Sequence, residues 1–205
     1  MQELRDFYSE KKEEISQRIG DFSQLRKVDD ETLFYELCFC IMAVQTSGLK
    51  SWKVAEKLKE NGFLNTGINP KKFLREGYIR FHNNKTKHLL EARESFKNVM
   101  EELRTEKDPK QMREWLVENV KGFGMKEASH FLRNIGLTQE LAILDRHVLR
   151  NMERHGFLEE FPKSLTKKKY LEIEQNFQKM AKTLKMKPAE LDLLLWAKEV
   201  GVVFK

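Results

Sequence analysis

The sequence contains few of the residues that cross-link chains or bind metals. Only two of its 205 residues are cysteines, Cys38 and Cys40, and only four are prolines. Two residues apart on a helix, the cysteines point in different directions, so an intrachain disulfide is not expected. Two cysteines also cannot build a four-cysteine zinc or iron–sulfur site. We therefore expect a reducing, cytoplasmic environment and neither a metal nor another cofactor.

Long apolar runs are also missing, and residues 1–6 are highly charged, so we expect neither a signal peptide nor a membrane span. Charged residues make up 34% of the chain and hydrophobic residues 40%, which is typical of a globular protein. Lys and Arg number 38 against 32 Asp and Glu, a net charge of +6. This excess favours a polyanionic partner, although a well-solvated basic protein would show the same charge.

The apolar residues recur with a helical period almost everywhere, and strand-type alternation is scarce. The pattern predicts an all-α protein. A helix capped by Asp30 is expected over about 31–45, ended by Gly48. Further helices are expected at about 51–59, 70–76, 84–105, 109–119, 125–135, between Asp145 and Gly156, at 167–184, and from Pro188 to Gly201.

The most informative segment is 120–126, in which Gly122 and Gly124 flank Phe123 and a lysine follows at position 126. Glycines allow a tight hairpin with positive φ angles and a close approach of the backbone to a ligand. Because a helix begins directly afterwards, unpaired amides and the helix dipole favour a phosphate group at this point. A lone Gly-x-Gly is weak evidence, since many turns between helices share it, but Lys126 strengthens it.

Within the helix at 125–135, Lys126, His130 and Arg133 share one face, and apolar side chains occupy the other. We expect the apolar face to pack on the body of the protein, so that Lys126 and His130 project together away from the core. The solvated face of an ordinary amphipathic helix would give the same pattern.

Asp145 follows Lys126 by 19 residues and directly precedes another predicted helix. An aspartate at this position is a common N-cap, whose carboxylate accepts amide hydrogen bonds. A capping carboxylate is also held ionised and rigid, as an electrostatic catalyst must be. Hairpin, amine and carboxylate together favour covalent chemistry on a sugar beside a phosphate backbone.

The last predicted helix places an aromatic residue among carboxylates. Trp196 falls toward the polar side, between Asp192 and Glu199. On the rim of a pocket, Trp196 could stack on a purine while Asp192 accepts its N–H donors. The alternative is a half-buried tryptophan that shields the core, with Asp192 as a solvated helix residue.

These motifs resemble the DNA glycosylase superfamily that carries a helix–hairpin–helix. Residues 120–126 followed by 143–147 are similar to the superfamily's hairpin and trailing aspartate. Residues 122–136 are closer still to the compact archaeal and bacterial 8-oxoguanine DNA glycosylase/lyases. The resemblance covers about residues 33–205 and is most specific between 120 and 149.

The resemblance implies two helical lobes with the hairpin at their junction, one lobe over residues 31–136 and the other joining 1–30 with 137–205. It also implies a bifunctional enzyme that flips 8-oxoguanine out of double-stranded DNA and excises it. Lys126 would attack the sugar C1′ as a neutral amine, which a partly desolvated cleft or a cationic neighbour favours. Asp145 would stabilise positive charge on the sugar, and the resulting Schiff base would permit β-elimination.

The resemblance implies roles for further residues. His130 would lie against the flipped base, and Lys205 and Phe81 would also line the base pocket, although Phe81 could instead be core packing. Gln45 would fill the hole left by the base, or be a polar helix end. His147 would contact a phosphate, or be a plain surface histidine. The residues expected to hold DNA at the hairpin are Gly122, Phe123, Gly124 and Met125.

Two other functions stay open on the sequence alone. A glycosylase for another damaged or mismatched base would share Lys126 and Asp145 and differ in the pocket formed by His130, Trp196 and Lys205. A non-catalytic module that only holds DNA would keep the hairpin glycines and need neither the amine nor the acid. We expect a monomer in each case.

Overall fold

The computed structural model describes residues 1–25, 27–105 and 107–205, and these residues form helices without a β-strand. In chain order the helices are α1 (Gln2–Leu25), α2 (Asp30–Ala43), α3 (Gly48–Glu60), α4 (Lys71–Glu76), α5 (His82–Leu103), α6 (Pro109–Asn119), α7 (Met125–Asn134), α8 (Arg146–Arg154), α9 (Lys167–Leu184) and α10 (Pro188–Val200). The predicted all-α class is confirmed. None of these helices is both long and apolar enough to cross a membrane.

The helix ends lie close to the predicted positions, but two expectations around α2 are wrong. Asp29, not Asp30, is the N-cap, because its carboxylate accepts the N–H of Thr32 at 2.7 Å. Gly48 is the first residue of α3 and does not end α2. The helix stops at Ala43 because Val44 leaves the helical conformation, with ψ 116°, and the next residue, Gln45, is left-handed, with φ +50°.

The apolar side chains form two hydrophobic cores. One surrounds α2, whose residues 33–42 are all buried, and includes side chains of α3, α4, α5, α6 and α7. The other joins α1 to α8, α9 and α10. The two terminal regions of the chain thus share a core, as the expected second lobe requires. The lobe boundaries at residues 30 and 136 stay a prediction.

A buried ion pair joins the two cores. The Arg113 guanidinium of α6 donates to both carboxylate oxygens of Glu174 on α9, at 2.6 and 2.9 Å. It also donates to Ser129 Oγ of α7 at 3.2 Å, while Glu174 Oε1 accepts the N–H of Ala142 at 2.9 Å. The side chains of the pair are 1% and 4% exposed. The same ion pair therefore fixes both helix α7 and the segment that leads to α8.

Replacing Arg113 by methionine would leave the Glu174 carboxylate buried without its partner. We expect the free energy of unfolding to fall by about 3–5 kcal/mol. Urea unfolding followed by circular dichroism measures this loss. Arg104→Met is the matched control, because the Arg104–Asp30 pair is exposed and such pairs contribute at most about 1 kcal/mol. Equal losses in the two variants would contradict the role assigned to the buried pair.

Candidate active site

The hairpin between α6 and α7 has one glycine in the left-handed region. Gly122 has φ +88°, and a Cβ at this position would lie 2.5 Å from His88 Nδ1. Glycine alone is compatible with both the angle and this contact. Gly124 is extended, with φ −112° and ψ −173°, and donates its N–H to Glu127 Oε2 at 3.1 Å. Only Gly122 therefore uses the positive φ that glycine allows, while the Gly124 amide helps to cap α7.

The side chains that flank Gly124 point into the protein. The Phe123 ring packs on Phe131, with 6.1 Å between ring centroids, and the Phe123 N–H donates to the Val120 carbonyl. Met125 is buried in the second core. Neither side chain is available to DNA, so only the backbone of Phe123 and Met125 could make the predicted contacts. The first amides of α7 have no partner within the helix and are the natural donors.

Lys126 is the second residue of α7, and its side chain is 22% exposed. Its Nζ lies 3.8 Å from Glu127 Oε1. A second lysine is nearby: burial lowers the pKa of Lys85 to about 8, and the charges of Arg80 and Lys126 act on that amine as well. The predicted nucleophile therefore lies in a partly desolvated place beside one carboxylate and within electrostatic reach of another amine.

Asp145 is the N-cap of α8. Its Oδ1 accepts the N–H groups of His147 and Val148, each at 2.8 Å, which leaves Oδ2 as an acceptor. The chain before it is fixed by α9, because the Tyr170 hydroxyl donates to the Ala142 carbonyl at 2.7 Å. The predicted acid is thus held in place from both sides.

His147 follows Asp145 on α8 and is only partly exposed. Its Nδ1 lies 3.8 Å from a carboxylate oxygen of Glu199 on α10. The same carboxylate accepts a hydrogen bond from Asn151 at 3.1 Å. His147 therefore belongs to a small polar cluster between α8 and α10, next to the Asp145 cap.

Asp192 is a buried carboxyl group that pairs with Arg133. It is buried on α10, with Oδ2 3.2 Å from Arg133 Nη2 of α7. Burial raises the pKa of Asp192 to about 7, the charge of Arg133 opposes the shift, and the charges of Asp145 and Lys126 also act on it. The charges of the predicted nucleophile and of the predicted acid therefore both act on this one carboxyl group. The expected rim or solvated position of Asp192 is therefore wrong.

Helix α7 is also buried on most of its polar side. The prediction that His130 and Arg133 lie on an exposed face is therefore wrong. Helices α1, α2 and α6 pack around it. His130 and Arg133 are 6% and 2% exposed. The Arg133 guanidinium lies over the Phe22 ring of α1, and the His130 ring meets Phe39 of α2 edge-on, with 5.4 Å between centroids. Periodicity misses this because it does not show that α1 covers the polar face.

The His130 imidazole is neutral. Burial lowers its pKa well below the usual range, and the charges of Arg133, Lys126 and Lys205 add to the shift. In the part of the chain that the structure describes, neither ring nitrogen has a hydrogen-bond partner. Buried polar atoms are normally satisfied, so these two nitrogens are open to hydrogen bonds with a ligand.

The C-terminal tail folds back onto the first core. The Lys205 ammonium pairs with Glu36 of α2 and lies 3.3 Å from the ring centroid of Trp52. Because this side chain is only 7% exposed, the ammonium is not available to a base, and only the backbone end of Lys205 could serve as the predicted contact. Trp196 is half-buried and packs against Phe204 of the tail, with 6.0 Å between ring centroids.

Two exposed loops carry left-handed residues. Gln45 is exposed between α2 and α3. Phe81 has φ +56° and is 54% exposed, so the core-packing alternative for it is wrong. Tyr78, with φ +55°, is more exposed still, at 79%. The loops are joined, because the Arg80 N–H donates to Thr46 Oγ1 at 3.3 Å.

Sequence reasoning missed the buried charges around the site. Glu36, Lys85 and Arg113 are each less than 5% exposed. Charged residues on amphipathic helices mostly face solvent, so nothing in the local pattern distinguishes these three. The exposed Tyr78 is also missed, although its aromatic ring beside Gly77 in a turn is a signal that could have been used.

An all-α fold with two cores, a glycine hairpin ahead of a lysine-bearing helix and an aspartate N-cap together define a helix–hairpin–helix DNA glycosylase. The chain belongs to the 8-oxoguanine DNA glycosylase family, because the family model of that description matches residues 15–186. The predicted family and enzyme class are confirmed.

Relatives of this family match the chain over its whole length. The 8-oxoguanine DNA glycosylase/AP lyases of Fusobacterium nucleatum and Methanocaldococcus jannaschii are 37% and 36% identical to it, over 99% and 100% of this chain and 96% and 97% of theirs. The crystal structure of the M. jannaschii 8-oxoguanine glycosylase/lyase in complex with DNA containing 8-oxoguanine superposes with a TM-score of 0.90 at 33% identity, covering 100% of both chains. The Thermotoga maritima 8-oxoguanine DNA glycosylase gives the same TM-score at 36% identity, over 100% of this chain and 97% of that one.

Asp192→Asn should change how stability depends on pH. The folded-state pKa of Asp192, about 7, lies above its ordinary value of 3.8. Its contribution to stability is therefore fully present below pH ~4 and is lost as the pH rises to about 7. We therefore compare the Tm of the unmodified protein with that of D192N. The difference, unmodified minus variant, should fall as the pH rises from ~4 to about 7 and then stay constant. Thermal unfolding at stepped pH measures it.

The exposed Asp21 provides the control for this comparison. The Tm difference between the unmodified protein and Asp21→Asn should change little over the same pH range. A D192N difference that moves in favour of the unmodified protein with rising pH would contradict the assignment, because it would mean that the folded state holds Asp192 ionised.

Proposed function

We propose that this protein removes 8-oxoguanine from double-stranded DNA and then cuts the strand at the abasic site, with Lys126 as nucleophile. The observation that carries the proposal is that a lysine directly behind a glycine hairpin and a rigidly capped aspartate both act electrostatically on the buried Asp192, in a member of the 8-oxoguanine DNA glycosylase family. A module that only holds DNA needs neither residue. We further propose that it acts as a monomer in the cytoplasm.

The reaction begins with extrusion of the damaged nucleotide, because a base inside a duplex is unreachable. The lone pair of the neutral Lys126 amine then forms a bond to C1′. The glycosidic bond breaks, its electron pair leaves with the base, and the base takes up the proton that the attacking nitrogen gives up. The nitrogen lone pair then forms the C1′=N bond of a protonated Schiff base as the C1′–O4′ bond breaks, and O4′ takes up a proton. A C2′ proton passes to water, its electron pair forms a C2′=C3′ double bond, and the 3′ phosphate leaves with the electron pair of the C3′–O bond.

Asp145 supplies the charge that this sequence of steps requires. Positive charge develops on the sugar as the base departs, and a fixed carboxylate stabilises it more effectively than mobile water does. The two amide hydrogen bonds to Oδ1 hold the group rigidly, while Oδ2 stays open. Asp192 is buried, and the charges of Lys126 and Asp145 both act on its carboxyl group.

The base pocket lies between α7 and the C-terminal tail. The neutral His130, with its two unpaired nitrogens, offers hydrogen bonds to an extruded purine. Trp196 is proposed to stack on the purine, and the backbone end of Lys205 to meet its edge. The exposed Phe81 is the fourth proposed contact. Hydrogen bonds and stacking of this kind distinguish one base from another.

DNA is held at the hairpin and along the neighbouring loops. Residues 122–126 form the hairpin and the N-terminal end of α7, where the helix dipole is positive. Their backbone N–H groups are therefore suited to binding a phosphate. His147 is proposed to contact a second phosphate next to the Asp145 cap. Gln45, exposed on its loop, is proposed to occupy the space that the base leaves in the duplex. Phosphate contacts of this kind make binding weaken steeply with salt.

Lys126→Gln should abolish both strand cleavage and the covalent complex trapped by borohydride, because the side chain loses its nucleophilic amine. DNA binding should be largely kept. Gel electrophoresis of an 8-oxoguanine duplex measures all three properties. The matched control is Lys97→Gln on α5, whose side chain is 87% exposed. This control should cleave at the normal rate, and full cleavage by the Lys126 variant would refute the assignment.

The substrate is tested with a set of duplexes that each contain one lesion. Borohydride trapping only with 8-oxoguanine is the expected result. An adduct with an oxidised pyrimidine or a mismatched base in its place would point to the other glycosylase function. Absence of adduct with every lesion would leave only a DNA-holding module.

A further inference from the structure

Lys85 is a buried lysine that the proposed reaction does not use. It lies near the start of α5, where the helix dipole disfavours a cation, and is 4% exposed. Its ammonium donates to the Met42 carbonyl at 2.7 Å, to the Val44 carbonyl at 2.5 Å and to Thr46 Oγ1 at 3.0 Å. An ammonium has three N–H donors, so all of them are occupied and none is left for a phosphate.

The three acceptors surround Gln45 in the chain. The Met42 and Val44 carbonyls lie at the end of α2, where carbonyls have no partner within the helix. Thr46 follows on the other side. Gln45 itself has φ +50°, a conformation that a residue with a side chain keeps only where its surroundings impose it. Lys85 bonds to both neighbours of Gln45 and so imposes this conformation.

The same contacts reach the second exposed loop. Thr46 Oγ1 accepts the Arg80 N–H as well as the Lys85 ammonium. Arg80 lies between Tyr78 and Phe81, which are both left-handed and exposed. One buried ammonium therefore holds together the two loops that present Gln45 and the exposed aromatic rings on the same part of the surface.

We propose that Lys85 is a positioning residue for base extrusion, which holds the Gln45 loop in the shape that lets the glutamine side chain enter the duplex. The inference rests on the proposed function and adds to it a residue that acts without touching DNA. The loop is ordered before DNA arrives, so binding energy is not spent on shaping it. Lys85 therefore acts through Gln45.

Lys85→Met tests the inference, because methionine keeps the length of the side chain and removes the ammonium. Lys87→Met is the matched control, since Lys87 is exposed two residues further along the same helix. Single-turnover excision of 8-oxoguanine from a duplex should slow at least about tenfold in K85M and change less than about twofold in K87M. Cleavage at a preformed abasic site, which needs no intact base extruded, should slow much less in K85M.

A double-mutant cycle with Gln45→Ala separates this role from a general loss of structure. If Lys85 acts through Gln45, the K85M/Q45A protein should be no slower than the slower single variant. The inference would be overturned if the rate losses of the two single variants multiplied in the double variant. Equal excision rates of K85M and K87M would also overturn it. Should K85M not fold, Thr46→Val removes one of the three acceptors and enters the same cycle. Absence of excision by the unmodified protein would instead overturn the proposed function itself.

Discussion

The site depends on one pair of charges that is shielded from water. Arg113 and Glu174 join the two hydrophobic cores, and each also holds one side of the proposed active site. Arg113 reaches Ser129, one helical turn after Lys126, and Glu174 reaches Ala142, three residues before Asp145. Removing such charges from water is costly, and the bidentate contact with further hydrogen bonds is what offsets that cost. The amine and the acid therefore keep one relative position.

Further buried polar groups continue this arrangement toward the base pocket. Glu36 binds the terminal lysine and also accepts a hydrogen bond from Asn134 of α7 at 3.2 Å. Arg133 and Asp192 connect α7 to α10 in the same way. In such a poorly solvated region electrostatic interactions are stronger than in water, and fixed groups need little reorganisation during a reaction. A buried, neutral His130 and an amine with charged neighbours are features that the proposed catalytic site requires.

The sequence predicts the parts of this protein that depend on local chemistry. The glycine hairpin, the aspartate N-cap and the lysine in the first turn of α7 are all local patterns, and they also carry the family resemblance. Burial imposed by distant segments is not local. Helix α1 covers the polar face of α7, and the C-terminal tail brings the Lys205 ammonium to Glu36. The periodicity of the sequence reveals neither contact. Phe81 differs, since its own left-handed turn, which the hydrophobic pattern does not reveal, leaves the ring exposed.

In the proposed mechanism an amine and an acid, held on either side of one buried ion pair, converge on a single sugar carbon. A crystal structure of the covalent complex, reduced with borohydride on an 8-oxoguanine duplex, tests it most directly. The account predicts a bond between Lys126 Nζ and C1′, with the Asp145 carboxylate beside the sugar and the Arg113–Glu174 pair intact. A bond from any other amine, or an Asp145 carboxylate turned away from the sugar, would contradict it.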